Sequence, residues 1–337
     1  MTAVLDSLQQ GRQAVQPALR AALDRLDPTS RSIAYYHFGW TDLDGNPASA
    51  GGGKAVRPAL ALLSAEAAGA QPSAGLPGAV AVELVHNFSL LHDDLMDGDT
   101  ERRHRPTVWA VHGAASAILT GDAMLSLAQE VLLDGDGPGA IAAARLLSEA
   151  VNELIRGQVL DVAFEQRNDV TLDECLDMAA GKTGALLSAS SAIGAVLAGA
   201  PRETVDALAG FGADLGLAFQ LVDDLLGIWG EPATTGKPVY SDLRARKKSL
   251  PVTYSITHGG AIGRELAEWL AAPEEPGEDG VRHAADLIEQ AGGRRWALDE
   301  AHRRMAAGQQ KLTDAEVPDR VREDLLSLAR FIVTRES

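Results

Sequence analysis

Apolar residues along this chain recur at the three-and-four spacing of a helix face, and no strand-like alternation persists anywhere. A first stripe runs over residues 4–26, through Val4, Leu5, Leu8, Val15, Leu19, Leu23 and Leu26, and Asp27-Pro28 stops it. Trp40 to Gly53 is rich in turn residues and reads as a loop that delivers Lys54 and Arg57 to the start of the next helix. Further breaks fall at Gln71-Pro72, at 134–139, at Gly199-Ala200-Pro201 and from Pro273 to Gly280. Between them lie helical patterns of roughly 15 to 30 residues, lengths typical of a bundle. No linker composition interrupts the series, so the pattern predicts one all-α domain over 1–337.

Chemistry enters where one apolar stripe ends in charge. Leu84, Val85, Phe88, Leu91 and Leu95 line a predicted buried helix that closes on Asp93, Asp94 and Asp97. Asp93 and Asp97 lie one turn apart on one face. Unpaired, such anions repel and raise one another's pKa, so the group calls for a cation, and hard oxygen ligands suit Mg²⁺. Arg102 and Arg103 follow within two turns, and guanidinium forks match phosphate oxygens. By itself an aspartate run is also what a solvated helix end looks like. The second half of the chain changes that balance, because Leu217 to Gly227 again runs an apolar helix into paired acids, Asp223 and Asp224. Two such helices facing each other would form a two-sided metal clamp for a diphosphate carried on an apolar tail.

Composition narrows the classes. In 337 residues, 46% are hydrophobic, which is ample for a core, while a net charge of −17 argues against nucleic acid or an anionic membrane as a general electrostatic partner. Any polyanionic substrate must then be held by a local basic cluster and by metal. Cys175 stands alone, so no intrachain disulfide framework is possible. The N-terminus lacks the apolar core of a signal peptide, and the weakly polar run Ala185 to Ala200 is too short to span a bilayer comfortably. These features together predict a soluble, cytoplasmic protein.

With both acidic motifs in view, the stretch from about Gly51 to Pro251 resembles the trans-isoprenyl diphosphate synthases, or polyprenyl synthetases, with its motifs in family order. The resemblance implies a bundle of long, mostly antiparallel helices around a central prenyl-tail cavity and a homodimer. The implied reaction is a Mg²⁺-dependent condensation of isopentenyl diphosphate with an allylic diphosphate, using three ions per site when substrate is bound. Lys54 and Arg57 match the isopentenyl-binding motif, although Ala55 stands where the family usually has arginine. His86 and Arg103 would join them on that substrate, while Arg102, Lys182, Lys237 and Lys247 would hold the allylic diphosphate. Asp93, Asp94 and Asp97 match the first acidic motif, and Gln220, Asp223 and Asp224 the second, whose usual third aspartate is Gly227 here. Gln158 and Asp161 match a further motif, His92 reads as a packing neighbour, and Thr183 is placed to stabilise cationic charge. His104 and Tyr240 replace glycines that the family often carries.

The resemblance also assigns a mechanism and a ruler. Metal and basic groups neutralise the departing pyrophosphate, the allylic carbon ionises, and the isopentenyl double bond attacks it. Proton loss to the released pyrophosphate completes the product, and closure of the Lys237 loop excludes water. Down the helix from Asp93 the tail meets Ser89, Phe88 and then Val85; bulky Phe88 beside small Ser89 resembles synthases that stop at geranylgeranyl diphosphate, with farnesyl diphosphate the nearest competitor. A class I terpene cyclase would need the acidic clamp but not Lys54, Arg57, His86 and Arg103. A non-catalytic partner subunit would be expected to have lost the first aspartates.

Overall fold

A computed structural model describes residues 2–48, 55–135, 138–231, 238–273, 276–315 and 317–333, with side chains from residue 11 onward except at 138. The chain is all-α. Its helices are α1 (Thr2–Leu23), α2 (Pro28–His37), α3 (Val56–Ala67), α4 (Leu76–Met96), α5 (Val108–His112), α6 (Ala114–Leu133), α7 (Pro138–Glu165), α8 (Leu172–Ala179), α9 (Ala185–Leu197) and α10 (Arg202–Trp229). Shorter helices follow, among them Ser241–Arg244, Leu250–His258, Glu278–Gln290, Gly293–Asp314 and Asp319–Val333. Asp27-Pro28 both stops one helix and starts the next: the Asp27 carboxylate accepts from the amides of Thr29 and Ser30, and Pro28 supplies a preset φ at the first helical position.

Two compact units emerge, Met1–Glu149 with Ala189–Ala209 and Ala315–Leu328, and Ala150–Ser188 with Gly210–Asp314 and Ala329–Ser337. In the first, α4 is the central rod. Leu84 and Val85 are fully buried and Leu91 nearly so, and α3 and α6 pack against it. Ser64 in α3 accepts the amide of Gly194, a buried polar tie between α3 and α9. In the second unit one core gathers Phe164, Cys175, Leu221, Leu250 and Ala297. Another gathers Ile228, Val252, Leu266, Val281 and Ile288. A capping box at Thr171 and Glu174 starts α8.

Two departures from the sequence expectation follow from the coordinates. Strand structure is not wholly absent, because Glu101–Arg102 (β1) pairs antiparallel with Arg105–Pro106 (β2) in a two-residue hairpin. It is too short to leave an alternation signal. Second, 185–200 is too short to span a bilayer, as its length predicts, but among the described residues Pro72–Met96, Ala114–Leu133 and Arg202–Trp229 are long and apolar enough by composition to do so. The apolar window of the first is 72% buried inside the protein, so its hydrophobicity is used in the core, and α10 carries Asp206, Asp214, Asp223 and Asp224.

Candidate functional site

In the first unit α4 terminates on its carboxylates. Asp97 caps the helix, its amide donating to the Asp93 carbonyl at 2.8 Å, and its side chain is exposed, while Asp93 is half-buried. Asp94 points inward with 2% exposure and accepts Arg102 Nε at 2.6 Å. Burial still pushes its pKa up, more than the arginine offsets, and its second carboxyl oxygen is buried without a hydrogen-bond partner among the described residues. Arg102 thus answers Asp94, an arrangement the motif alone did not reveal.

The hairpin that carries the arginines turns at Arg103 and His104, with φ of 53° and 60°. Two central residues in the left-handed region are the signature of a type I′ turn, normally built with Asn or Gly. The substitution of His104 for the usual glycine therefore has a physical consequence: a side chain occupies a backbone conformation that costs roughly 1–2 kcal/mol for an L-residue. Tyr240, the other replaced glycine, behaves the same way, with φ 64°. Sequence reasoning missed Arg105, which anchors the hairpin. Its guanidinium donates to the carbonyls of Tyr36 and Thr41, each at 2.9 Å, and lies over the Tyr36 ring at 4.3 Å.

Behind Arg102 and Arg103 lies a buried polar layer. His86 on α4 is held neutral, because burial and the Arg57, Arg103 and Arg102 guanidiniums push its pKa well below the ordinary value. His37 shares that environment and is depressed to about 3, chiefly by burial, with Arg103 and Arg102 adding to it; it contacts Asn87 at 3.2 Å. Asn87 donates to Glu83, whose carboxyl burial raises despite nearby arginines. Arg57 sits at the second position of α3; Lys54 lies outside the described residues. Of the chain-length residues, Val85 is fully buried, Phe88 is 6% exposed with its ring edge-on to His92 at 4.8 Å, and Ser89 donates to the His86 carbonyl. His92 acts here as a packing neighbour.

The second unit assembles the other motifs through one close backbone approach. A π-helical turn, Ala180–Gly184, presents Lys182 and Thr183, and its backbone lies against Gly157 of α7, where a Cβ would sit 2.1 Å from the Lys182 nitrogen. Single π turns of this kind recur at functional sites. Lys182 reaches Asp161 at 2.5 Å. Thr183 donates to Gln220 at 2.7 Å, Gln220 to Asp224 at 2.8 Å, and the Leu250 amide closes on Asp224 at 2.9 Å. Gln158 is 7% exposed, and neither atom of its amide has a partner among the described residues. Asp224, pushed up to about 6 by burial, is thus engaged by protein on both oxygens, whereas Asp223 is exposed. Burial lowers the pKa of Lys247, but the Asp224, Asp242, Asp161 and Asp223 carboxylates outweigh it and lift the pKa above the ordinary lysine value. Gly227, where the third aspartate is missing, faces Asp242: a Cβ there would meet the Asp242 carboxylate at 2.2 Å. Lys237 lies outside the described residues.

The donor chemistry fits a hard divalent ion. Among the described residues no three acidic, histidine or cysteine side chains converge into a ready-made cage. Mg²⁺ does not require one, since it takes one or two carboxylates and completes its shell with water and substrate phosphate. In the first unit the half-buried Asp93 and exposed Asp97 carboxylates, and in the second unit the exposed Asp223 carboxylate, are donors of that kind.

Comparison with known proteins places this geometry in context. Residues 46–288 match the model of the polyprenyl synthetase family. A (2E,6E)-farnesyl diphosphate synthase of Mycobacterium tuberculosis is 58% identical over 326 residues, 96% of this chain and 91% of that protein. A geranylgeranyl diphosphate synthase of the same organism is 42% identical over 331 residues, 98% of this chain and 93% of that one. The crystal structure of a polyprenyl synthetase from Streptomyces coelicolor superposes with a TM-score of 0.94 at 55% identity, covering 98% of this chain and all of that one.

Proposed function

Since the chain belongs to the polyprenyl synthetase family, we propose that it is a short-chain trans-prenyl diphosphate synthase that condenses isopentenyl diphosphate with an allylic diphosphate. The observation that carries this reading is the coexistence of both acidic motifs with Arg57, His86 and Arg103. A cyclase that only ionises one prenyl diphosphate has no use for these three.

Asp93, Asp97 and Asp223 are the proposed Mg²⁺ ligands, and Asp94 and Asp224 support them from within the protein. Mg²⁺, when bound, neutralises charge on the departing pyrophosphate. Arg102, Lys182 and Lys247, with Lys237, bind the allylic diphosphate, and Asp94 orients Arg102 while Asp161 orients Lys182. Thr183 and Gln220 present oxygen dipoles to the developing allylic cation. Arg57 and Arg103, with Lys54, bind isopentenyl diphosphate, and neutral His86 can donate one hydrogen bond without adding charge. The allylic C–O bond breaks, the isopentenyl double bond forms the new C–C bond, and the released pyrophosphate takes the proton.

The Phe88–Ser89 pair supports geranylgeranyl diphosphate as product. A specific observation favours a second reading, farnesyl diphosphate: the 58% identical relative bears that name, and the Phe88 ring is buried against His92 one turn before Asp93. Incubation with labelled isopentenyl diphosphate and dimethylallyl, geranyl or farnesyl diphosphate separates them by a dominant twenty- or fifteen-carbon product. No product with any primer would reject the synthase reading, and so would an Asp93→Ala variant that keeps full activity.

The match over 46–288 runs through residues of both units, which supports one catalytic domain. A soluble, cytoplasmic homodimer completes the proposal. Ile118, Leu119 and Ile141 in the first unit, and Ile155, Val159 and Val162 in the second, expose apolar surface of the kind a partner covers. Light scattering of the wild type against Leu119→Glu tests it, with a monomeric wild type as the refuting result.

A further inference from the structure

One departure from the family pattern has a physical counterpart elsewhere in the first unit. Ala55 lacks the guanidinium expected at its position, yet it opens on a surface cleft whose walls include Arg12, Val15, Leu19, Glu83 and Arg103. Arg12 stands on α1, more than forty residues earlier in the chain, and its side chain is exposed. Among the described residues it forms no ion pair or hydrogen bond, so it can turn to an incoming anion without breaking one.

The electrostatics of the cleft point the same way. Arg12, Arg57 and Arg103 all act on the single carboxylate of Glu83, which Asn87 holds at 3.1 Å. Three guanidiniums within electrostatic reach of one carboxyl group, two of them (Arg12 and Arg103) lining the cleft, leave an excess of positive charge. That excess suits a diphosphate, whose oxygens accept bidentate, charge-assisted hydrogen bonds from guanidinium forks. Apolar Val15 and Leu19 line the cleft, which suits a five-carbon alkenyl group beside that diphosphate.

We propose that Arg12 is a substrate-binding residue for isopentenyl diphosphate, contributing from α1 the guanidinium that position 55 lacks. The proposal rests on the synthase reading above. It makes α1 part of the site, and affinity for this substrate depends on a helix that no motif marks.

The test is Arg12→Ala, alone and combined with Ala55→Arg. The expected result is a rise of about ten- to a hundredfold in KM for isopentenyl diphosphate, the effect of losing one charge-assisted contact, with KM for the allylic diphosphate unchanged. Ala55→Arg in the same chain restores most of the loss. An unchanged KM for isopentenyl diphosphate overturns the proposal, as does an equal rise for both substrates, which would mean a general field effect. Should the wild type form no product at all, the synthase reading fails on its own. Calorimetric titration with inorganic pyrophosphate in magnesium-free buffer then still tests Arg12. Binding weakened at least tenfold in Arg12→Ala supports the role, and equal affinity refutes it. Coincident thermal melts of variant and wild type establish that folding is intact.

Discussion

Gly157→Ala reverses the ordinary sign of a helical glycine substitution. In a helix interior, replacing Gly by Ala gains about 1 kcal/mol from propensity. Here the added Cβ would sit 2.1 Å from the backbone nitrogen of Lys182 and 2.8 Å from the Gly181 carbonyl carbon and the Lys182 Cα. The first of these is about 1.3 Å short of the 3.4 Å where ordinary contact begins. All three atoms are backbone, so no rotamer change relieves the clash, and α7 and the π turn must part. Overpacking typically costs about 1–3 kcal/mol, and a clash that only backbone movement can relieve lies at the top of that range, which exceeds the propensity gain. The displaced segment carries Lys182 and Thr183, so the Asp161 and Gln220 contacts at 2.5 and 2.7 Å are lost with it. Urea unfolding should therefore show net destabilisation of about 2 kcal/mol, and the folded fraction should be impaired in prenyl transfer. Gly11→Ala is the control. Its Cβ would meet Ala59 at an ordinary 3.8 Å, so it should be neutral or gain up to about 1 kcal/mol. If Gly157→Ala were as stable as Gly11→Ala, the close approach that builds this part of the site would be refuted.

Three further outcomes are expected. His104→Gly relieves left-handed backbone at φ 60° under an exposed side chain and should raise stability by up to about 1 kcal/mol, the strain relieved less the extra freedom of the unfolded chain, in denaturant titrations, whereas Tyr240→Gly should destabilise because the Tyr240 ring packs on the core of the second unit. Restoring the family aspartate by Gly227→Asp should lower activity and stability, because its Cβ would collide with the Asp242 carboxylate at 2.2 Å; a gain in turnover would contradict this packing. Acidification should destabilise the protein through its buried histidines, against a smaller opposing gain from Asp224, whose folded value of about 6 makes the native chain the better proton binder below it. His37 titrates near 3 when folded and near 6.5 when unfolded, so the unfolded chain binds the extra proton between those values. Stability is full above pH 6.5 and falls below it by up to about 1.4 kcal/mol per pH unit for this one group. His86 adds to the slope in the same direction. Urea midpoints at pH 4.5, 5.5 and 7 check it, and His37→Gln should flatten the dependence.

The apolar stripe from Leu84 to Leu95 and its terminal aspartates determined, without coordinates, that α4 would be a buried rod ending in carboxylates. A 3.6-residue period and like-charge repulsion are local properties of the chain. Turn residues likewise marked most helix breaks. Lys182, Thr183, Gln220 and Asp224 could be named from motifs, but their linkage could not. That linkage depends on glycines that let two backbones touch, and the sequence does not say which backbones meet. The same holds for Asp94 spending one oxygen on Arg102, for Asp242 filling the space at Gly227, and for Arg12 sharing a cleft with Ala55. Each is a distance between residues remote in sequence or set apart by a turn, and such distances are set by packing. Residue type and spacing supplied the chemistry; tertiary contacts chose which atoms of that chemistry remain available for substrate.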